Sequence, residues 1–124
     1  MRLDGGFAGT VLVGVEGDER GRILRVDRAL VALLEGSSTQ IVGSELAEHL
    51  HADDRPTMGA ALAEVAREGA GSYEGMVRLL ASDGSVRAAL VHASRVGYGA
   101  RPAVIVRILD RSAEDRKPAP DASA

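Results

Sequence analysis

The sequence predicts an α+β domain with one hydrophobic core. Its 124 residues are enough for a single domain. Runs rich in β-branched residues lie near both ends of the chain, and segments with the spacing of amphipathic helices lie between them. Short polar turns separate neighbouring strands, so these strands should pair antiparallel. We therefore expect two strands, several short helices, one longer helix and three further strands, with the helices on one face of the sheet.

The composition excludes several classes of function. Hydrophobic content of 45% and charged content of 27% are ordinary for a soluble globular protein. The net charge is -3 and the basic residues are scattered, so we expect no nucleic-acid partner. No apolar run is long enough to span a membrane, and the first residues lack the apolar segment of a signal peptide. We expect a cytoplasmic protein.

Two residue types are absent or scarce, which limits the possible cofactors. Cysteine is absent, which excludes disulfides, thiolate metal sites, cysteine nucleophiles and cysteine-linked flavin or chromophore. The aromatic residues are only Phe7, Tyr73 and Tyr98. The core should therefore be aliphatic, and a flat cofactor such as flavin would find few stacking partners.

The first part of the chain predicts a hairpin followed by a helix. Residues 10–16 and 22–26 have the composition of strands and are separated by a short polar turn. Asp27 can cap the next helix through its carboxylate, and Gly36 lies where a left-handed C-cap is expected. The apolar positions of this helix are Leu30, Val31, Leu33 and Leu34.

Short helices and one longer helix should follow. Ser37 and Gln40 have the spacing of a capping box, and residues 44–50 indicate another short helix. A longer helix is expected over residues 55–68, because Pro56 is tolerated only in a first turn. Either Asp53 or Asp54 could cap this helix. Apolar side chains recur along it at helical spacing, at Met58, Leu62 and Val65.

The last third has the period of strands. We expect strands over residues 72–81, 85–96 and 103–109, with a tight turn at 82–84 and a longer loop at 97–102. The middle strand is apolar on both faces, which usually means that both are covered. The helices would cover one face, and a second subunit would cover the other. One set of these apolar residues is Val86, Ala88 and Leu90, and the other is Ala89, Val91 and Ala93.

Five motifs lie in order at the joints between the predicted elements. His51-Ala52-Asp53-Asp54-Arg55, just before the long helix, is similar to the His-Pro-(Asp/Glu)-Asp-Arg motif of the PAS family, with Ala52 in place of proline. Asp83-Gly84-Ser85-Val86-Arg87 is similar to its Asp-Gly-Ser-x-Arg-Trp hairpin, with Ala88 in place of the aromatic residue. The other three motifs are Gly21–Asp27, Ile41–Ser44 and Asp110–Ser112, and the resemblance spans roughly residues 7–117.

The resemblance implies a fold, a boundary and a role. It implies a five-stranded antiparallel sheet of order 2-1-5-4-3 with helices enclosing a pocket on one face. The domain would occupy residues 10–112, after an N-terminal segment of residues 1–9. Residues 113–124 would form about one helical turn and a disordered tail, because Pro118 and Pro120 interrupt any helix. PAS domains are sensory and commonly dimerise, so a homodimer through the outer sheet face is expected.

A cluster of histidines and carboxylates has two interpretations. His49, His51, Asp53 and Asp54 could form a metal site or an acid/base pair, because imidazole and carboxylate are suitable ligands. The two histidines are two positions apart, however, and would not share a helix face. Helix capping explains the residue types and their spacing without a ligand. We therefore expect structural caps at Asp27, Asp53 and Asp54, no metal and no catalytic residue.

The resemblance also directs attention to the pocket. Some PAS domains hold haem through a histidine, but the long helix here has none, so we do not expect haem. We do not expect flavin either, because cysteine is absent and aromatic residues are few. A small apolar ligand or an empty pocket remains. His92 is in phase with Leu90 and is either a polar anchor for a ligand or a partly exposed histidine of the sheet. The candidate pocket residues are Leu30, Leu34, Met58, Leu62, Val65, Leu90 and His92.

The expected function is therefore a sensory module without enzymatic activity of its own. Pocket occupancy would shift the packing of the helices on the sheet and bias the end of the last strand, at Asp110 and Ser112. An output domain or a partner protein would receive this signal. The alternative is a ligand-free module that binds a protein partner or dimerises through its outer sheet face.

Overall fold

The fold is built on one antiparallel sheet. The structure of the protein is a computed structural model that describes residues 8–67 and 71–111. Its five strands lie in the order β2-β1-β5-β4-β3, which confirms the predicted sheet. All neighbouring strands pair antiparallel. The strands are β1 (Ala8–Gly14), β2 (Ile23–Val26), β3 (Ser72–Leu80), β4 (Val86–Tyr98) and β5 (Arg101–Asp110).

Helices connect β2 to β3 and cover one face of the sheet. The three α-helices are α1 (Arg28–Leu34), α2 (Ser38–Ile41) and α3 (Arg55–Ala66). Three short 3₁₀ helices lie at Gly17–Glu19, Leu46–His49 and Ala52–Asp54. The longer helix α3 contacts β3, β4 and β5, so it lies over the half of the sheet's inner face that these strands form.

The core lies between the helices and the inner face of the sheet, and it is aliphatic as expected. Alternation along the strands sends one set of side chains inward, and the helices contribute large apolar residues from the other side. Burial of each such side chain stabilises the fold by about 1.5–3 kcal/mol. Among the most completely buried members are Val11, Val13, Ile23, Leu30, Met58, Val91 and Val104.

The capping chemistry of α1 and α2 follows the sequence closely. Asp27 accepts a hydrogen bond from the Leu30 N–H at 2.9 Å, which is the predicted cap. Ser37 and Gln40 form the expected capping box at the start of α2. The left-handed residue at the end of α1 is Glu35 (φ 56°) and not Gly36 as predicted. Gly36 instead packs closely, because an added Cβ would lie 3.1 Å from the Ser82 hydroxyl oxygen.

The strand boundaries differ from the prediction by one or two residues, and the differences at β1 and β5 matter most. β1 begins at Ala8, so part of the predicted N-terminal segment 1–9 belongs to the sheet. β5 begins at Arg101, and the expected loop at 97–102 is a two-residue turn in which Gly99 has a φ of 63°. Pro102 is tolerated there because it lies beyond the last residue that pairs with β1, so no strand on that side needs its missing N–H. Ser112 and the tail 113–124 lie outside the described residues.

Candidate functional site

The segment from His51 to Pro56 joins the helices to the sheet. The predicted cap of α3 at Asp54 is wrong: its side chain makes no capping hydrogen bond to α3. One carboxylate oxygen accepts hydrogen bonds from the Arg78 N–H (2.7 Å) and Nε (3.1 Å), and the other accepts from Nη2 (3.0 Å). Asp54 has near-helical backbone angles (φ -95°, ψ -7°), so the 3₁₀ helix runs directly into α3 without an extended cap residue.

Asp53 is not the cap either. Its N–H is itself capped, since it donates to Nδ1 of His51 at 3.1 Å, and its side chain is 76% exposed. His51 therefore orders this loop, as the structural interpretation of the cluster predicted.

The pKa of the Asp54 carboxyl is lowered, chiefly by the Arg78 side-chain hydrogen bond, and the same bond raises the pKa of Arg78.

His49 lies apart from this cluster. Its Nε2 is 2.8 Å from the Ser44 hydroxyl, and that hydroxyl donates to the Ile41 carbonyl. A hydroxyl has a single hydrogen, so Nε2 of His49 must be the donor in this pair. Burial lowers the pKa of His49 and favours the neutral ring. Within residues 8–67 and 71–111, no three His, Asp or Glu side chains lie together in a way that could hold a metal ion.

The predicted pocket residues divide into three groups. Leu30, Leu34, Met58 and Val65 are almost completely buried between the helices and the inner face of the sheet. Leu62 lies at the edge of this core and lines an open cleft. Leu90 and His92, both on β4, form the third group.

The placement of Leu90 and His92 in the pocket is wrong. Ala89, Val91 and Ala93 are fully buried on the inner face of β4, so the alternate residues point to the outer face. Leu90 is partly buried and His92 is exposed there. His92 lies between the register partners Glu74 on β3 and Arg107 on β5. It is thus a histidine of the sheet surface, which is the second interpretation that the sequence allowed.

A cleft lies between α3 and the turn from β1 to β2. Its volume is about 390 Å³, which is in the range of small-molecule sites. We call it the α3 cleft. The turn contributes Gly14, Val15, Arg20 and Gly21 to its lining. The helix contributes Gly59, Leu62, Ala63, Ala66 and Arg67.

A smaller opening lies beside the α3 cleft along the same helix. It measures about 90 Å³ and lies between α3 and the 3₁₀ helix Leu46–His49. Gly21, Gly59 and Leu62 line both openings, so the two are adjacent, and we call them together the groove along α3. Met58 lines the smaller opening. Of the predicted pocket residues, Met58 and Leu62 therefore border the groove.

Glycines explain why the groove is open. Gly59 lies inside α3, and an added Cβ there would meet no atom within 4 Å. Gly14 lets the turn fold back tightly, because a Cβ would lie 2.6 Å from the Glu19 carbonyl oxygen. The sequence reasoning missed Gly59, Arg20 and Arg67. A glycine inside a helical pattern is a signal that could have drawn attention to this side of α3.

The end of β5 is tied to the rest of the domain by Arg87. Its Nη2 lies 3.2 Å from Oε2 of Glu35, and its Nη1 lies 3.6 Å from Oδ2 of Asp110. In addition, the Arg111 N–H donates to the Ala88 carbonyl at 2.8 Å. Asp110, the predicted signalling residue, therefore contacts Arg87 on β4 directly. The same Arg87 side chain links it to Glu35 at the end of α1. We call this contact the Arg87 bridge.

The outer face of the sheet carries an apolar row across three strands. Met76, Leu90 and Leu109 are register partners on β3, β4 and β5. Met76 is 52% exposed, and the other two are partly buried. Glu74 lies near one edge of this face, on β3, and Arg25 lies at the opposite edge, on β2. This face therefore combines an apolar row with opposite charges at its two edges.

Comparison with known proteins identifies the family. A family model described as the PAS fold matches residues 23–106. Among curated proteins, none matches the chain significantly. No helix in the described part of the chain is long and apolar enough to cross a membrane.

Solved structures show the same fold. The PAS domain of a protein from Colwellia psychrerythraea is 16% identical over 85% of this chain and 86% of that chain, with a TM-score of 0.72. The PAS-B domain of Cycle from Drosophila melanogaster, solved with bound ethylene glycol, is 13% identical over 82% and 98%, with a TM-score of 0.70. The PAS domain of nitrogen regulation protein NR(II) from Vibrio parahaemolyticus is 16% identical over 83% and 88%, with a TM-score of 0.64. Because the matching family model covers most of the chain and all five strands of the fold are present, the chain belongs to the PAS family, whose members are generally sensory modules rather than enzymes.

Proposed function

We propose that this PAS domain senses a small, largely apolar molecule held in the α3 cleft. The observation that carries the proposal is the cleft itself, which has a suitable volume and lies directly against the helix that covers the sheet. A ligand there would contact Leu62 and Ala66 on α3, whose neighbours Met58 and Val65 are part of the core. Its binding energy would therefore act on the packing between α3 and the sheet.

The route from the cleft to the end of the domain passes through β4. The Ala66 carbonyl at the end of α3 accepts a hydrogen bond from Nε of Arg95 on β4 at 3.0 Å. At the other end of the same strand, Arg87 contacts Asp110. A ligand that binds one arrangement of α3 better than another would shift the population of that arrangement. The Arg87 bridge would then pass the change to the segment that follows β5, where an output domain or partner protein would receive it.

An NMR screen of the full chain with small apolar fragments tests this proposal. Binders should shift the amide signals of Gly21, Gly59 and Leu62, and also those of Asp110 and Arg111. Ala63→Leu would fill the α3 cleft and should abolish these shifts. Ala60→Leu is the matched control, because Ala60 is exposed on α3 but does not line the cleft. Shifts confined to the cleft, or shifts that persist in the Ala63→Leu variant, would contradict the proposal.

A second copy of the chain is the proposed partner of the outer sheet face. The apolar row of Met76, Leu90 and Leu109 gives this face a buried centre if it is paired. Two facing sheets can be related by a two-fold axis that lies between them and runs parallel to β5, the central strand. Because β3 and β2 are opposite edges of the sheet, this axis would place β3 of one copy over β2 of the other. Glu74 of one copy would then lie over the edge that carries Arg25 of the other, which is an attractive contact, whereas the exposed Arg107 on β5 would face its own copy across the axis.

The remaining expectations concern cofactors and location. We propose that the chain works without haem or flavin, and a visible absorption spectrum of the purified protein tests this directly. A band near the haem or flavin maxima would contradict it. A cytoplasmic location also stays a prediction.

If the apolar fragments fail to bind while the dimer forms, the ligand-free interaction module becomes the better description.

A further inference from the structure

We propose that the α3 cleft selects a small monocarboxylate with an apolar body. This inference rests on the proposed function of the cleft and adds the chemical class of the ligand. The cleft combines two features that suit such a molecule. Its lining is mainly apolar, and it also includes two exposed arginines, Arg20 and Arg67.

Arg20 is available to a ligand. Its side chain is exposed, and within the part of the chain that the structure describes its guanidinium makes no hydrogen bond or ion pair. The neighbouring acidic residue Glu19 does not occupy it, because Glu19 pairs with Arg101 at 3.2 Å. A planar guanidinium suits a carboxylate, to which it can donate two parallel hydrogen bonds.

Among the described residues, Arg67 makes one side-chain hydrogen bond, and its other guanidinium N–H groups are available to a ligand. Its Nη1 donates to Oε1 of Glu64 at 3.0 Å, and a guanidinium has five N–H groups. The carbonyl end of a helix disfavours a nearby anion, but here the Ala66 carbonyl is already bound by Arg95. With Glu64 counted, the two arginines leave the edge of the cleft with one net positive charge. This charge matches a single carboxylate better than a dianion.

The apolar lining completes the selection. Val15, Leu62, Ala63 and Ala66 offer surface that an inorganic anion could not cover. An uncharged apolar molecule could cover this surface but would leave Arg20 without a partner and the remaining donors of Arg67 unused. A molecule with a carboxylate at one end and a hydrocarbon body uses both features at once.

An NMR titration of the full chain with octanoate tests this inference, with octanamide as the matched uncharged probe. Octanoate should shift the amide signals of Gly21, Gly59 and Leu62 and bind roughly tenfold more tightly than octanamide, because charge-assisted hydrogen bonds are about twice as strong as neutral ones. Arg20→Gln and Arg67→Gln should each weaken octanoate binding roughly three- to tenfold and leave octanamide unchanged.

Arg28→Gln is the control, because Arg28 is an exposed arginine outside the cleft, and it should leave both affinities unchanged. Equal affinities for the two probes would overturn carboxylate selection while still supporting an apolar sensory cleft. Octanoate shifts that survive the double substitution of Arg20 and Arg67 would overturn it as well. If neither probe shifts the cleft signals, the inference is overturned, and the fragment screen with Ala63→Leu decides the sensory proposal separately.

Discussion

Asp54 is placed by a long-range contact that local sequence rules do not describe. An aspartate just before a helix that begins with Arg-Pro satisfies every local rule for a cap. In the fold, however, Arg78 on β3 offers its main-chain N–H and two guanidinium nitrogens to the same carboxylate. Three charge-assisted hydrogen bonds outweigh one capping bond. The carboxylate therefore ties the start of α3 to the sheet, which only the tertiary structure could reveal.

The Asp54 contact should give the domain an acid-sensitive component of stability. Because the pKa of Asp54 is lowered in the folded state, its contribution is fully present above the ordinary aspartate pKa of about 3.9. The contribution is lost as the pH falls through the lowered pKa. Asp54→Asn should therefore lower the free energy of unfolding near neutral pH, and its difference from the wild type should shrink in acid. Urea unfolding at several pH values measures this.

Asp53→Asn is the matched control for Asp54→Asn. It removes the adjacent carboxylate, whose side chain is mostly exposed and is not among the hydrogen-bond partners of Arg78. It should lower the stability less than Asp54→Asn at neutral pH. Equal losses from the two variants would show that the contact between Asp54 and Arg78 contributes nothing particular.

His49 should contribute a second pH dependence in a higher range. Burial lowers its pKa in the folded state, so the unfolded chain binds more protons once the pH falls below the ordinary histidine value of about 6.5. Stability should therefore decrease from about pH 6.5 down to the lowered pKa and then level off. NMR titration of the His49 ring measures the folded pKa directly. A midpoint at or above that of an unstructured histidine peptide would contradict the burial argument.

At the scale of elements, β4 shows what periodicity could and could not predict. The strand and its antiparallel partners were predicted, because β-branched residues and the Asp83-Gly84 turn define them locally. The two faces could not be distinguished, because both alternating sets of side chains contain apolar residues. Packing decides the matter: Ala89 and Val91 face α3 because small and branched side chains let the helix lie close to the sheet. Leu90 and His92 consequently face outward.

The α3 helix should become more stable when its internal glycine is replaced. Gly59→Ala should raise the free energy of unfolding by about 0.5–1 kcal/mol, because alanine has a lower conformational entropy cost in a helix. The new methyl group would meet no atom within 4 Å. Ala60→Gly, at the next exposed position of the same helix, is the reverse control and should lower it by a similar amount. Chemical denaturation of both variants measures the effect, and a destabilised Gly59→Ala would show that the glycine is required by the backbone.

At the scale of the whole molecule, the order of the strands and helices could be predicted from the sequence, but the position of the candidate site could not. The turns and caps at Asp27, Gly43 and Gly84 act locally and mark the joints between elements, and the resemblance of these motifs, in their order, to the PAS family implied the sheet order. The α3 cleft could not be predicted in the same way. It depends on how far the β1–β2 turn stands from α3, and that distance results from close contacts such as Gly14 against Glu19. Sequence spacing carries no information about such distances.

The last prediction concerns pairing of two copies of the chain through the outer sheet face. If two copies pair through this face, a charge in its apolar row must be desolvated without a partner, so Met76→Lys should shift the protein from dimer to monomer. Val42→Lys is the matched control, because Val42 is also an exposed apolar residue (42% exposed) and lies at the C-terminal cap of α2, outside the apolar row. It should leave the dimer intact. Sedimentation velocity over a range of concentrations gives the two masses. A wild-type protein that stays monomeric at high concentration, or a Val42→Lys variant that dissociates as readily as Met76→Lys, would place any self-association elsewhere and leave the apolar row for a different protein.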